Sequence, residues 1–272
     1  MNRKIRWLGT LAGLLLIAIP GMGLPPAKAD LEIHRRFTAA QVPVERFPEP
    51  HRSQVIELLN VAPLFQRGPI ECFPCRMGLY EWLLDHPEVG MAAWRAMGAT
   101  QAKLERLPDG RWRGADPAGG EVHCTLVLSE PGRRLWLVEG SVRPLPFLPV
   151  MTLKALVVLR YQDVVGAEGR TGVRHRAEVF ADVDMKSAGW LAKLTGITAE
   201  TASHKALEQV ELFFSGMAWY ICENPHWAER ILPPTLNKPE LVKSRHVLLE
   251  ELKHLRAAKA AAVLDLPTAP GR

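Results

Sequence analysis

Residues 201–222 read TASHKALEQVELFFSGMAWYIC. Leu207, Val210, Phe214, Met217 and Ile221 recur with the spacing of a single helix face, and Ala206, Phe213 and Tyr220 widen the stripe. Glu208, Gln209, Glu211 and Ser215 read as the opposite, polar side. So wide an apolar face has to lie on an apolar surface. From about Gln101 to Asp184 the hydrophobic period drops to two, which offers one. The pairing of this helix with that sheet decides the fold.

The candidate strands are Gln101–Leu107, Arg111–Ala115, Glu121–Ser129, Arg133–Arg143, Leu153–Asp163 and Gly172–Asp184. Pro108-Asp109-Gly110, Gly119-Gly120, Pro131-Gly132 and Pro144–Pro149 separate them, and connections this short imply antiparallel pairing. The last strand alternates most clearly, with Val173, Ala177, Val179, Ala181 and Val183 on one face. Upstream, Leu31–Ala39 reads as a short first strand, Arg52–Asn60 as a helix and Phe65–Pro74 as a loop. Met77–Leu84 and Pro87–Met97 are helices, the second opened by a proline where a helix tolerates one. Downstream, Lys186–Leu194 is a short helix. The long helix has to stop near Asn224, before Pro225, which opens a further helix to Leu232. Pro233-Pro234 is read as a break. Lys238–Leu266 is amphipathic, with Leu241, Leu248, Leu252, Leu255 and Leu266 on one side. It is expected to lie along its own domain, with a coiled-coil dimer as the alternative. The expected class is α+β: an antiparallel meander of about six strands wrapped on one long C-terminal helix, with N-terminal helices and an extra C-terminal amphipathic helix.

The chain opens with Arg3, Lys4 and Arg6, the apolar run Leu8–Ile19, and Ala27-Lys28-Ala29 before Asp30. This is the pattern of a cleaved secretory signal over residues 1–29, and it implies a periplasmic or extracellular protein. The other reading is a membrane anchor, but twelve residues span roughly 18 Å, short of a ~30 Å hydrocarbon core. Domain limits follow: 1–29 signal, 30–232 α+β domain, 233–266 helical extension, 267–272 tail. Without residues 1–29 the 34 basic residues fall to 30 against 29 acidic ones, so the net charge drops from +5 to +1. No basic run with interleaved aromatics remains, and nucleic-acid binding loses its electrostatic footprint. No integral membrane span is expected in the mature chain, and the oligomeric state is not specified.

Cys72, Cys75, Cys124 and Cys222 are disulfide candidates in an exported chain, with three possible connectivities. A Cys72–Cys75 bridge with Cys124–Cys222 is one option, because Cys124 shares a strand face with Val122, Leu126 and Leu128. Cys72-Phe73-Pro74-Cys75 ahead of a helix also has the spacing of a thiol-redox pair. It lacks the preceding strand and βαβ unit of thioredoxin, and Arg76 stands where haem attachment needs His. The nine histidines show no metal spacing, and His123 and His175 are placed on strand faces with polar neighbours. No nucleophile elbow, phosphate loop or dinucleotide fingerprint occurs. Neither a catalytic residue, a metal nor a cofactor is assigned.

The order of a first strand, helices, antiparallel strands and one long helix resembles the helix-grip fold of the START-like and polyketide-cyclase-like superfamily, over roughly Leu31–Glu223. The resemblance is one of topology. This chain differs by a Cys- and Pro-bearing segment with a third helix, and by Pro225–Leu266 beyond the long helix. It implies an apolar ligand cavity between sheet and helix. Aromatics concentrated in this half of the chain fit such a cavity or a filled core. The candidate lining residues are Leu126, Leu137, Val210, Phe213, Phe214 and Met217. The expected function is binding of an apolar small molecule or lipid without catalysis. A thiol-redox enzyme using Cys72 and Cys75 is one alternative, and an interaction protein acting through its C-terminal helix is the other.

Overall fold

A computed structural model describes residues 28–117, 119–142, 150–166, 171–183, 199–235, 246 and 248–257. Most of the signal-like segment, the helix expected at Lys186–Leu194, the start of the C-terminal helix and the tail lie outside them. The helices are α1 (Lys28–Ala40), α2 (His51–Val61), α3 (Met77–Asp85), α4 (Pro87–Ala96), α5 (Ala199–Glu223), α6 (Pro225–Thr235) and α7 (residues 248–257). The strands are β1 (Leu64–Arg67), β2 (Glu71–Pro74), β3 (Lys103–Arg106), β4 (Trp112–Ala115), β5 (Glu121–Glu130), β6 (Arg133–Val142), β7 (Met151–Val165) and β8 (Thr171–Val183).

All strand pairs are antiparallel, in the order β1-β8-β7-β6-β5-β4-β3, with β2 also on β8. The class is α+β, and the meander and long helix are those expected from the period-two and period-3.6 patterns. The sheet has eight strands rather than about six, because the stretch read as a loop supplies β1 and β2. Both lie at the sheet edge, where Pro74 can end a strand without breaking a ladder. Leu31–Ala39 is helix, not strand. Asp30 sits in its first turn and Glu32 pairs with Arg36 one turn on, at 3.2 Å, both of which favour a helix. Helix α6 runs through Pro233-Pro234 to Thr235, where a break was expected.

Each face of the sheet has its own core. On one face Trp136, Leu159, Tyr161, Val173 and Ala177 pack with α3, α4, α5 and α7. On the other, Leu135, Leu137, Leu156, Val158 and Phe180 pack with Phe47, Val55 and Leu58 from the α2 region. In β5 the register shifts between Leu126 and Leu128. Leu126 therefore joins the α5-side core and Leu128 the opposite one, so Cys124 and Leu128 do not share a face as alternation alone implied.

Candidate functional site

Helix α5 makes its closest backbone approach to the sheet at one edge. It follows the β1–β2 edge and touches β1, β2 and β8. Polar contacts run along that seam. Near its start, the carbonyl of Glu200 accepts from Gln66 Nε2 at 3.4 Å. One turn beyond Leu207, Glu211 Oε1 accepts the Ala177 amide at 2.8 Å. Ser215 hydrogen-bonds Glu71, and Cys222 meets the thiol of Cys75. Glu211 and Ser215 were read onto the polar side of the helix, yet both are buried. They flank the apolar stripe on the side that meets the edge strands, where the chain leaves the ladder between β1 and β2.

That departure explains Glu211. Gly68 N–H still donates to Ala177 O at 2.9 Å, but the return bond to Ala177 N–H comes from Glu211 instead of from a strand carbonyl. A Cβ at Gly68 would stand 2.2 Å from Glu211 Oε1, so only glycine leaves room for the carboxyl. Glu211 is 1 % exposed, and its Oε2 is buried without a hydrogen-bond partner. Burial pushes its carboxyl up to about 8, helped by the charge of Glu71.

Beside it lies a buried relay. Tyr80 Oη is 2.5 Å from His175 Nδ1, and His175 Nε2 is 3.0 Å from Glu71 Oε2. The hydrogen bond from His175 holds Glu71 below its ordinary range, and desolvation holds the Tyr80 phenol well above its own. Tyr80 therefore donates to Nδ1, and Nε2–H donates to Glu71. His175 is 1 % exposed and Tyr80 fully buried, so the relay acts as a structural network joining α3, β8 and β2. The sequence placed His175 among polar neighbours, although it shares a strand face with Val173 and Ala177. Its partner Glu71 lies 104 positions away, so no local pattern signals the pair.

Away from the edge, the α5-side face is apolar. One lateral row crosses four strands: Leu126 on β5 pairs with Trp136, Trp136 with Val157, and Val157 with Val179. The Phe214 ring stacks on Trp136 at 6.0 Å and 15°. Leu126, Val157, Val179, Phe214 and neighbouring Cys124 pack on the core but keep accessible surface. Burial pushes the Cys124 thiol up to about 12. The expected lining residues divide accordingly. Leu126 and Phe214 meet on this row, and Val210 is half-buried one turn before Phe214. Phe213 turns instead to α4, where its ring lies against Gly90 and its carbonyl accepts from Trp94 Nε1 at 3.3 Å. Met217 is 1 % exposed and fills the core. Leu137 lies in the core on the other face of the sheet and cannot line a space under α5, because β6 alternation points Trp136, not Leu137, toward the helix. The indole of Trp94 packs over Gly216.

None of the four cysteines is in a disulfide. Cys72 is exposed on the outer face of β2, whereas Cys75 is buried against Cys222, so the two ends of the Cys-x-x-Cys motif point apart. The hydrogen bond with Cys222 and burial push the Cys75 thiol well above its ordinary range, the reverse of what a nucleophilic thiolate requires. Among the described residues no cluster of His, Cys, Asp and Glu has metal-ligand geometry, and no helix is long and apolar enough to cross a membrane.

No protein-family model and no curated protein matches the chain. Among solved structures, it is similar to a conserved protein from Geobacillus kaustophilus at 12% identity, covering 54% of this chain and 95% of that one, with a TM-score of 0.33. It is also similar to the di-domain ARO/CYC BexL from the BE-7585A biosynthetic pathway, at 14% identity over 70% of this chain and 57% of that one, TM-score 0.34. A third is norcoclaurine synthase from Thalictrum flavum in complex with dopamine and hydroxybenzaldehyde, at 15% identity over 57% and 91%, TM-score 0.29. Likenesses this distant say nothing of what this chain binds.

Proposed function

We propose that this is an exported protein that binds an apolar small molecule or lipid on the α5-side face of its sheet. One observation carries the reading. The row Leu126–Trp136–Val157–Val179 is apolar throughout, and around its buried Trp136 the residues Leu126, Val157, Val179 and Phe214 are only half-buried, in the middle of an eight-stranded sheet. A ligand that takes the remaining apolar surface of these residues out of water would be stabilised there, at ~25 cal/mol per Å². Export rests on the positive start, the apolar run and the small residues at positions 27 and 29.

Native mass spectrometry of the full chain, expressed with its leader and purified without detergent, is expected to show a co-purifying apolar mass and an N-terminus at Asp30. Leu126→Asp and Val157→Asp should each lower occupancy at least tenfold, since either carboxylate would be desolvated by the ligand. If no mass co-purifies and neither a fatty acid nor a sterol binds saturably, ligand binding is ruled out. An intact leader on secreted material would rule out cleavage.

A further inference from the structure

The opposite face of the sheet carries an excess of positive charge that the apolar row does not explain. Cross-strand pairing sets Arg133, Arg160 and Arg176 side by side on β6, β7 and β8. One step along, Arg67 on β1 pairs with Glu178 on β8. Like charges placed directly opposite on neighbouring strands repel. The described carboxylates do not balance them. Glu178, almost fully buried, is shared between Arg67, whose Nε is 3.1 Å from Oε1, and Arg160, whose Nη1 contacts Oε2. Arg133 pairs with Glu130 at 2.6 Å, and Glu130 also holds Arg46. Arg176 makes neither an ion pair nor a side-chain hydrogen bond among the described residues. Two donors of this group, Arg160 Nη2 and Arg176 Nε, are buried and have no acceptor. They belong to cross-strand partners on the same face of the sheet. At the rim, Arg67 Nη1 donates to His34 Nε2 of α1 at 2.7 Å, leaving that imidazole nitrogen as an acceptor and adding no charge.

We propose that Arg67, Arg160 and Arg176 form a binding site for a phosphate-type oxyanion beneath α1. Guanidinium groups suit such a ligand because their N–H donors form a fixed fork that matches its oxygens. One oxyanion between Arg160 and Arg176 takes up both unpartnered donors and cancels the repulsion along the row. Leaving the donors unmet costs the desolvation of each. Burial, with the charges of Arg67 and Arg174, holds Arg176 below the usual guanidinium range, and the carboxyls of Glu178 and Glu211 offset this only in part. The side chains of Arg67 and Arg160 remain 24% and 29% exposed, so the group is reachable from solvent. The ligand chemistry is shared by soluble phosphate and by a phospholipid headgroup. The site stands on the far side of the sheet and does not depend on the apolar-ligand reading.

The test uses the full chain in phosphate-free buffer, titrated with inorganic phosphate by calorimetry and thermal shift, and sedimented with phosphatidylcholine vesicles with or without phosphatidic acid. Saturable phosphate binding that Arg176→Gln weakens at least tenfold supports a soluble ligand. Sedimentation that requires phosphatidic acid and is lost in Arg176→Gln supports a headgroup. Arg160→Gln removes a partner of buried Glu178 and risks the fold. Arg176→Gln has no such partner to lose, and without phosphate it is expected to raise the melting temperature by relieving repulsion. Arg95→Gln, on an exposed turn of α4, should change neither readout. The proposal is overturned if neither probe binds, or if Arg176→Gln binds as well as wild type.

Discussion

At the scale of single residues, Glu211 ties the long helix to the sheet edge. Its carboxyl stands in for a missing strand carbonyl, and its protonated form is favoured because burial and Glu71 oppose the charge, with Arg176 partly offsetting them. The folded-state value of about 8 lies above the unfolded value of ~4.3, so the native state holds a proton that the unfolded chain releases. This group's contribution to stability is therefore greatest below about pH 4 and declines as pH rises, levelling off above about pH 8. Urea denaturation at pH 5 and pH 9 should show wild type losing a few kcal/mol relative to Glu211→Gln, which keeps an acceptor for Ala177 but does not titrate. Parallel pH profiles for the two proteins would remove this account. Gly68→Ala should cost roughly 1–3 kcal/mol at either pH, because the added methyl collides with the carboxyl. None of this was legible in the sequence. A glutamate beside an apolar stripe looks solvated until the gap between β1 and β2 is known, and that gap depends on pairing Gly68 with Ala177, 109 positions on. His175 was hidden for the same reason, since its alternation pointed inward while its partners lay on other elements.

At the scale of elements, what the sequence showed well was period, and what it could not show was phase. Five residues of α5 on or beside its stripe, Leu207, Met217, Ala218, Ile221 and Cys222, are buried as the 3.6 period requires. The six strands from β3 to β8 fall where the alternation put them. Which face of β6 meets the helix is a separate matter, because both faces of that strand are apolar and both are covered. Leu137 was assigned to the wrong side on that account. Phase is also decisive for the cysteines. Residues 72 and 75 differ by an odd number, and the chain turns at Pro74, so the Cys72 thiol faces solvent while Cys75 turns in toward Cys222. Native alkylation with iodoacetamide should label Cys72 well before Cys75 or Cys222. Refolding in a glutathione redox buffer, followed by non-reducing peptide mapping, should yield a Cys75–Cys222 link with Cys72 still a thiol. A Cys72–Cys75 link would mean that β2 does not pair with β8 as described.

At the scale of the whole molecule, the C-terminal helix belongs to the core rather than to a separate extension. Leu248 and Leu252 of α7 are buried with Leu79, Leu83 and Ala228, and Leu255 packs beside them. Around them Arg76 pairs with Glu251 at 3.1 Å and Arg256 with Glu229 at 3.0 Å, tying α7 to α3 and α6. The leucine spacing was legible in the sequence, but the choice between a seam for a second chain and a lid on this one was not, because both bury the same stripe. Its use within the chain has an energetic consequence. Two fully buried leucines contribute roughly 3–6 kcal/mol, a large share of the ~5–15 kcal/mol that keeps a domain of this size folded. Removing residues 236–272 should lower the melting temperature by about 10 °C or more and uncover Leu79 and Leu83 to a hydrophobic dye. Leu252→Ala, which leaves the helix in place, should cost about 2–5 kcal/mol by opening a cavity in the shared core. A helix reserved for a partner would give the opposite pattern, with Leu252→Ala leaving monomer stability unchanged and altering only the mass in light scattering.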